Sequence, residues 1–376
     1  MKNTILALTI LFCFSALFGQ HPSDRYSCFV DLTKVEDDQL EVKMHLPRIS
    51  DETVEFHMPK IVPGTYSISD FGRFVKKLDA FDTLGNPVAV KKIGINRWEI
   101  RRAQRLGSIT YRIEDSFDSK LENVIFEPAG TNFENGKNFV LNNFGIFGYI
   151  DGYKEMPFDV YVTKPENFYG ATSLKKLNAT ATKDVWTAPN YFDLHDNPIM
   201  YCEPDTAMIP VGNCQVLISV YSPNKKLSAN AVRENVRATL DAQRQYLGGT
   251  LPVDKYSILI YLFEGASNSG SAGALEHSYS TFFSLPEGDP EQLASSIRDV
   301  TAHEFFHIVT PLNIHSEQIH DYNFIDPKMS KHLWLYEGCT EYAAQHVQVK
   351  YDLMTEQEFL DQMRQKMTIA SQSEVY

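Results

Sequence analysis

The stretch VTAHEFFHIV, residues 300–309, decides how the second half of the sequence should fold. It places His303 and His307 four residues apart, which on an α-helix puts both side chains on one face, about 6 Å apart at Cβ. Two imidazoles so placed can bind one zinc ion at about 2.0–2.1 Å, and Glu304 can hold the water on that ion. The stretch therefore predicts a helix that carries two zinc ligands and a general base.

A catalytic zinc ion needs a third protein ligand and one open position. A histidine six residues after His307 would indicate the metzincin class, but that position is Asn313. We predict Glu337, because it lies in LWLYEG at 333–338, a helical stretch whose aromatic residues can pack against the first helix. A carboxylate on a second helix is the gluzincin arrangement. The other downstream candidates are His315, Glu317, His320, Asp321 and Glu341.

Glu341 lies one helical turn after Glu337, on the same face. It could accept a hydrogen bond from the outer ring nitrogen of a ligand histidine, which would fix the tautomer of that ring. A solvated helix carboxylate is the alternative, and the sequence leaves both interpretations open.

The segment GALEHS, residues 273–278, is a second candidate functional element. A Gly-rich loop is usually only a turn, but this one lies between two predicted strands and before the predicted zinc helix. In gluzincin folds the edge strand lines the substrate cleft, and a carboxylate there can pair with the free α-amine of a peptide. We therefore predict that Glu276 binds substrate, with Gly273 and Ala274 beside it.

The sequence divides into two parts of different character. From residue 26 to about 221, short alternating or β-branched runs are separated by turn signals, which predicts an all-β sandwich or saddle. From residue 222 onward, helical and strand patterns mix. The predicted helices span 229–247, 290–309 and 331–350, and the predicted strands span 257–263 and 279–285. We predict an α+β protein with a β domain at 20–221 and a catalytic domain at 222–376.

The first nineteen residues have the pattern of a secretory signal peptide, with Lys2, an apolar run and small residues before a cleavage position near Gly19. We therefore predict export, either periplasmic or secreted. The apolar run is shorter than the roughly 20 residues of a spanning helix, so stable membrane insertion is not expected. A net charge of −13 argues against nucleic-acid binding, because phosphate binding needs a basic face.

The cysteines leave two interpretations open. After residue 19, Cys28, Cys202, Cys214 and Cys339 remain. In an exported protein Cys202 and Cys214 could pair across a hairpin, whereas the alternative is four buried thiols. The spacing alone does not decide between them.

The motifs together resemble the M61 glycyl aminopeptidase family, relatives of the M1 aminopeptidases. HEFFH at 303–307, LWLYEGCTEY at 333–342 and AGALEH at 272–277 are similar to the zinc and amine-binding motifs of that family, and IVPGTY at 61–66 is similar to its PGSY segment. The resemblance implies a thermolysin-like gluzincin domain that holds one Zn²⁺ and removes small amino-terminal residues from peptides. Family members continue into a helical region and usually a PDZ domain, so it also implies that the catalytic domain is C-terminally incomplete here.

We predict a zinc aminopeptidase that acts on peptides. A zinc endopeptidase, in which Glu276 is merely structural, is one alternative, and a non-catalytic peptide-binding protein that keeps the fold is another. Blocking the α-amine of the substrate would separate the first two. The sequence does not indicate an oligomeric state.

Overall fold

The computed structural model describes residues 24–65, 67–117, 119, 124–267 and 271–372. The predicted signal peptide at 1–19 lies outside the described residues, so export stays a prediction. Within the described ranges, no helix has both the length and the apolar character that crossing a membrane requires. The fold is of the predicted α+β class, with a β-rich domain followed by a mixed domain.

The N-terminal domain is built from strands and a few short helical segments. Its strands are β1 (Tyr26–Asp31), β2 (Gln39–His45), β3 (Thr53–His57), β4 (Val75–Asp82), β5 (Pro87–Val88), β6 (Val90–Lys92), β7 (Arg97–Arg101), β8 (Leu106–Glu114), β9 (Asn132–Glu134), β10 (Asn138–Leu141), β11 (Tyr149–Ile150), β12 (Phe158–Thr163), β13 (Tyr169–Ala171), β14 (Lys175–Ala179), β15 (Lys183–Ala188) and β16 (Ile199–Cys202). The helices are α1 (Asn143–Ile146) and α2 (Tyr191–His195), with 3-10 turns at Leu32–Lys34, Phe71–Arg73, Ala103–Arg105 and Glu127–Ala129.

Three sheets share the core of this domain, rather than the two of a simple sandwich. One has the strand order β14-β15-β12-β1-β2-β8-β4-β5, and the others have the orders β13-β16-β10-β9 and β11-β3-β7-β6. Alternation of apolar and polar residues explains how the strands face that core. β2, for example, buries Leu40, Val42 and Met44 and turns the residues between them outward. All three sheets contribute side chains to one hydrophobic cluster.

The second domain is organised around a five-stranded sheet of order β17-β18-β19-β21-β20. Its strands are β17 (Thr206–Val211), β18 (Cys214–Tyr221), β19 (Lys255–Phe263), β20 (Gly273–His277) and β21 (Ser280–Pro286). The inner strands β18, β19 and β21 are parallel, and the two outer strands are antiparallel to their neighbours. β19 is buried on both faces, because helices cover one face and the sheet containing β16 covers the other.

Two helices of this domain, those predicted from 229 and from 290, begin at the predicted residues, the one predicted from 331 begins near 334, and the helices at 317–320 and 356–372 are not predicted from the sequence. The helices are α3 (Ala229–Tyr246), α4 (Pro290–Glu304), α5 (Glu317–His320), α6 (Thr340–Lys350) and α7 (Glu356–Gln372), with a 3-10 turn at Phe305–Ile308 and a π-helix at Trp334–Cys339. Ser228 caps α3, and Asp289 caps α4 by accepting hydrogen bonds from two backbone N–H groups. Two of the predicted helices change type along their length. The helix predicted at 290–309 becomes a 3-10 turn after Glu304, and the helix predicted at 331–350 begins with the π-helix.

The predicted domain boundary at 221–222 differs from the sheet arrangement. β17 and β18 belong to the sheet of the second domain, so the change of domain falls between β16 and β17. Strand patterns predict that a segment is extended, but they do not say which sheet it joins, and this explains the difference.

The pairing of Cys202 with Cys214, one of the two interpretations that the sequence left open, does not occur. Cys202 lies on β16 and Cys214 on β18, in different sheets, and both are free thiols. Cys28 is buried as well, but Cys339 is exposed, so the alternative of four buried thiols holds for three of them.

Candidate metal centre and substrate cavity

The three predicted zinc ligands converge on one point. His303 lies in the last turn of α4, His307 in the 3-10 turn that follows, and Glu337 in the π-helix. Nε2 of His303 is 3.2 Å from Nε2 of His307 and 3.2 Å from Oε2 of Glu337. Nε2 of His307 is 3.9 Å from Oε2 of Glu337. Ligands about 2.0–2.1 Å from a tetrahedral zinc ion are about 3.3–3.4 Å apart. The spacing therefore fits a zinc ion.

The outer nitrogens of both rings are already hydrogen-bonded. Nδ1–H of His303 donates to Oε2 of Glu341 at 2.8 Å, and Nδ1–H of His307 donates to the carbonyl oxygen of Thr310 at 2.9 Å. Since an ionised carboxylate and a carbonyl can only accept, each Nδ1 carries a hydrogen and Nε2 of the neutral ring carries a lone pair. When both rings are neutral, two lone pairs and one carboxylate oxygen face each other, which is a set of donors suited to zinc.

The two histidines differ in their electrostatic surroundings. Burial lowers the pKa of His307 to about 4, and the neighbouring His303 adds to this effect. Burial also disfavours the charged form of His303, but its hydrogen bonds to Glu337 and Glu341 outweigh burial and raise its pKa to about 10. A cation at this site competes with the proton on His303, because both use the Nε2 lone pair.

Glu341 makes the contact with a ligand histidine that the sequence left open. Its other oxygen, Oε1, is 2.6 Å from the ammonium of Lys366 on α7 and accepts a longer bond from Gln345. The hydrogen bond to His303 lowers the pKa of Glu341 to about 2, so this side chain is an ionised acceptor. It orients the ring of His303 and increases the basicity of Nε2.

Glu304 is a buried carboxyl with an unused oxygen. Its side chain points away from solvent, the residue being 8% exposed, and Oε2 has no hydrogen-bond partner among the described residues. Burial raises the pKa of Glu304, the charge of His303 opposes this, and the carboxylates of Glu337 and Glu341 reinforce it. A buried polar atom without a partner is costly unless water or a ligand reaches it. This carboxyl is suited to hold and pass on a proton.

Glu276 lies on β20, the edge strand of the five-stranded sheet. β20 runs antiparallel to β21, with Glu276 opposite Thr281. Leu275 and His277 on either side are buried, whereas Glu276 is partly buried and lines a cavity. Burial raises the pKa of Glu276 well above its ordinary value, and the charges of Glu304 and Glu337 add to this effect. The three carboxyl groups therefore act on one another electrostatically.

The cavity beside this centre has a volume of about 360 Å³ and is built by both domains. Glu276, His307 and Glu337 lie on the wall from the catalytic domain, and the segment 311–336 supplies most of the rest of that wall. The N-terminal domain contributes three segments to the lining, with Ile61, Val62, Pro63 and Gly64 in the first, Lys154 and Glu155 in the second, and Asn190, Phe192 and Asp196 on and around α2 in the third. The third segment is bonded directly to the edge strand, because the carboxylate of Asp196 accepts from Nδ1–H of His277 and from the backbone N–H of Ser278, each at 2.9 Å.

Other sequence candidates lie outside the group of three ligands. His315 and His320 contact each other, with ring nitrogens 3.2 Å apart, and line the cavity together with Asp321. Glu317 is exposed on α5. Gly273 and Ala274 lie at the start of β20: Ala274 packs against the core beneath the helices, and a Cβ on Gly273 would lie 3.1 Å from the ring of Phe126. Neither residue is among those that line the cavity, and their contact with substrate stays a prediction.

Three contacts at the site have no signal in the sequence. They are the hydrogen bond from His307 to the carbonyl of Thr310, the ion pair between Lys366 and Glu341, and the hydrogen bond from His277 to the carboxylate of Asp196. Any residue can supply a carbonyl, and the two charged partners are too far along the chain for a helical or strand period to connect them. Only the folded chain brings them together.

Comparison with known proteins places the chain in a family. The Peptidase M61 N-terminal domain matches residues 27–203, and the M61 glycyl aminopeptidase domain matches residues 296–374. A comparison with curated protein sequences gave no significant match.

Solved structures share the fold. An aminopeptidase N family protein from Idiomarina loihiensis superposes with a TM-score of 0.75 at 17% identity, covering 89% of this chain and 56% of that one. This chain thus spans just over half the length of that protein. An M1 zinc metallopeptidase from Deinococcus radiodurans superposes with a TM-score of 0.50 at 14% identity, covering 93% of this chain and 75% of that one. Because the two M61 domains together match more than half of the sequence and in the expected order, the chain belongs to the M61 glycyl aminopeptidase family.

Proposed function

We propose that this protein is a zinc metallopeptidase that removes amino-terminal residues from peptides. The observation that carries the proposal is the convergence of His303, His307 and Glu337 next to Glu304, the buried carboxyl with an unused oxygen. The three ligand atoms all lie within 4.8 Å of one another, so they could share one ion. Glu276, on the wall of the same cavity, supports the aminopeptidase assignment.

His303, His307 and Glu337 would hold the zinc ion. A zinc ion bound there supplies Lewis acidity, which lowers the pKa of a bound water and polarises the scissile carbonyl. Glu304 accepts the proton that the attacking water loses as its oxygen bonds to the carbonyl carbon. When the C–N bond breaks, Glu304 donates that proton to the leaving amine nitrogen and returns to its carboxylate form.

Charge balance supports a substrate with a free amine. Glu276, Glu304 and Glu337 place up to three negative charges around the site, and their mutual repulsion adds to the effect of burial on the first two. A divalent ion and one ammonium group would neutralise them. An α-amine paired with the Glu276 carboxylate forms a charge-assisted hydrogen bond and places the first peptide bond of the substrate near the metal. Small first residues are the preference that the family resemblance implies.

Two measurements on one preparation test the proposal. Metal analysis of the purified protein should find about one zinc per chain. The protein should hydrolyse aminoacyl amides with a free α-amine and should leave the same compounds intact when the amine is acetylated. Equal hydrolysis of both compounds would identify an endopeptidase, and absence of hydrolysis from a zinc-loaded, folded protein would favour a non-catalytic peptide-binding protein.

A further inference from the structure

The turn at 62–65 carries the inference. It comes from the N-terminal domain and lines the cavity with Val62, Pro63 and Gly64. Thr65 closes the turn, because both its backbone N–H and its hydroxyl donate to the carbonyl oxygen of Val62. Lys60, two residues before the turn, is held from the catalytic domain, since its backbone N–H donates to the carbonyl of Phe324 at 2.8 Å. Contacts within the turn and with the catalytic domain therefore fix its place at the cavity.

Gly64 lies directly against the carboxyl group of Glu276. A Cβ added to Gly64 would lie 2.7 Å from Oε1 and 3.0 Å from Cδ of Glu276, and 3.1 Å from a methyl carbon of Leu275. Real Cβ atoms do not approach other heavy atoms to within 3.0 Å, so a side chain here requires the carboxyl group to move. Gly64 also has φ +84°, a backbone conformation that favours glycine.

A second contact from the same domain holds the next part of the strand. The carboxylate of Asp196 bonds to the ring of His277 and to the backbone N–H of Ser278. The N-terminal domain therefore restrains β20 on the C-terminal side of Glu276 and packs against the Glu276 carboxyl itself. The two ligand histidines are bonded within the catalytic domain, since Glu341 bonds to His303 and the Thr310 carbonyl bonds to His307. The packing of the two domains therefore contributes to the distance between Glu276 and the metal centre.

We propose that the turn at 62–65 is a positioning element for Glu276, and that Gly64 is required because its missing side chain leaves room for the carboxyl group that binds the substrate amine. This rests on the proposed function of Glu276. The N-terminal domain thereby sets how the peptide amine is placed relative to the metal, although the three ligands and the base identified among the described residues all belong to the catalytic domain.

The test compares Gly64→Ala with Gly85→Ala. Gly85 has the same backbone strain, with φ +85°, but nothing lies within 4 Å of a Cβ built on it. We expect Gly64→Ala to lower kcat/KM for free-amine aminoacyl amides by about 10- to 100-fold, mainly through KM, which is the range for loss of a hydrogen bond to a charged group. Gly85→Ala should stay within about 2-fold of the parent, and zinc content should be the same in both.

A double-mutant cycle shows whether Gly64 acts through Glu276. In the Glu276→Ala background the carboxyl group is gone, so adding Gly64→Ala should have no more effect than adding Gly85→Ala. If Gly64→Ala lowers kcat/KM by the same factor with and without the Glu276 carboxyl group, the inference is wrong. If Gly64→Ala does not fold, the double variant should fold and bind zinc as Glu276→Ala does; a double variant that also fails to fold, while Gly85→Ala folds, overturns the inference.

The outcome for Glu276→Ala alone separates this inference from the proposed function. If that single variant hydrolyses free-amine substrates as well as the parent does, the aminopeptidase assignment of Glu276 fails. If it loses activity but Gly64→Ala behaves like Gly85→Ala, the proposed function stands and only the positioning role of the turn is wrong.

Discussion

The two walls of the cavity are built in different ways. The metal centre comes from one stretch of the catalytic domain, residues 303–341, in which helical turns place ligands and their hydrogen-bond partners. The opposite wall depends on Glu276, whose strand is contacted by Gly64 and Asp196 from the N-terminal domain. Under the proposed function, the metal chemistry is encoded locally, whereas selection of the substrate amine depends on how the two domains pack. Substitutions in the metal centre should abolish turnover, and substitutions that displace Glu276 should change which substrates are cleaved.

The largest effect is expected at the third ligand. Glu337→Ala removes one of three protein donors, so the protein should lose its zinc on dialysis and with it all hydrolysis. Glu317→Ala is a matched control, because Glu317 is a nearby carboxylate that is exposed and outside the ligand group. Zinc analysis after dialysis checks this. Full zinc retention in Glu337→Ala, or zinc loss in Glu317→Ala, would show that the ligand assignment is incorrect.

Glu304→Gln should separate binding of the metal from the reaction. The amide keeps the shape of the side chain but cannot accept a proton, so kcat should fall by about 10²–10⁴-fold. Zinc content should not change, because Glu304 is not a ligand. Rates on a free-amine substrate, measured together with the zinc content of the same sample, check this. Parent-like turnover by a zinc-loaded Glu304→Gln protein would exclude Glu304 as the general base.

The partners behind His303 should have a smaller effect, on affinity. Glu341→Ala removes the acceptor for Nδ1–H of His303, and we expect zinc affinity to fall by about 10- to 100-fold. Lys366→Met should have a weaker effect in the same direction, because the Lys366 side chain is 46% exposed and acts only through Glu341. Competition with a chelator measures both. If Lys366→Met weakened zinc binding more than Glu341→Ala did, Lys366 would not act on the metal centre through Glu341.

The smallest effect concerns stability on the N-terminal side. His195 is buried next to Asp196, and burial lowers its pKa to about 4. Below about pH 6.5 the unfolded chain binds a proton that native His195 does not take up until about pH 4, so the free energy of unfolding should fall as the pH falls through this window.

Urea unfolding of the parent and of His195→Gln checks the size of this contribution. Between pH 7 and pH 5 the parent should lose about 1–2 kcal/mol more than the variant does. Contributions from titrating groups that do not interact with His195, including His307, are common to both proteins and cancel in the difference, whereas Asp196 and His277 interact with His195 and belong to the measured effect. An equal loss in the two proteins would mean that His195 is not held neutral by burial.

The sequence alone determined the elements that depend on local spacing. His303, Glu304 and His307 are recognisable because an α-helix repeats every 3.6 residues, and Asp289-Pro290 marks where that helix begins. Glu337 required one further step, the choice of a carboxylate on a second helix over several others, and its side chain joins the two histidines. The α+β class followed from the change of pattern along the chain.

Only the tertiary structure decided which distant segments meet. It placed β17 and β18 in the second domain, separated Cys202 from Cys214, gave Glu341 its contact with His303, and brought Gly64 and Asp196 to the edge strand. The physical reason is that these contacts join segments with no common helical or strand period. These contacts are determined by tertiary packing, and the local sequence pattern around each residue does not predict them.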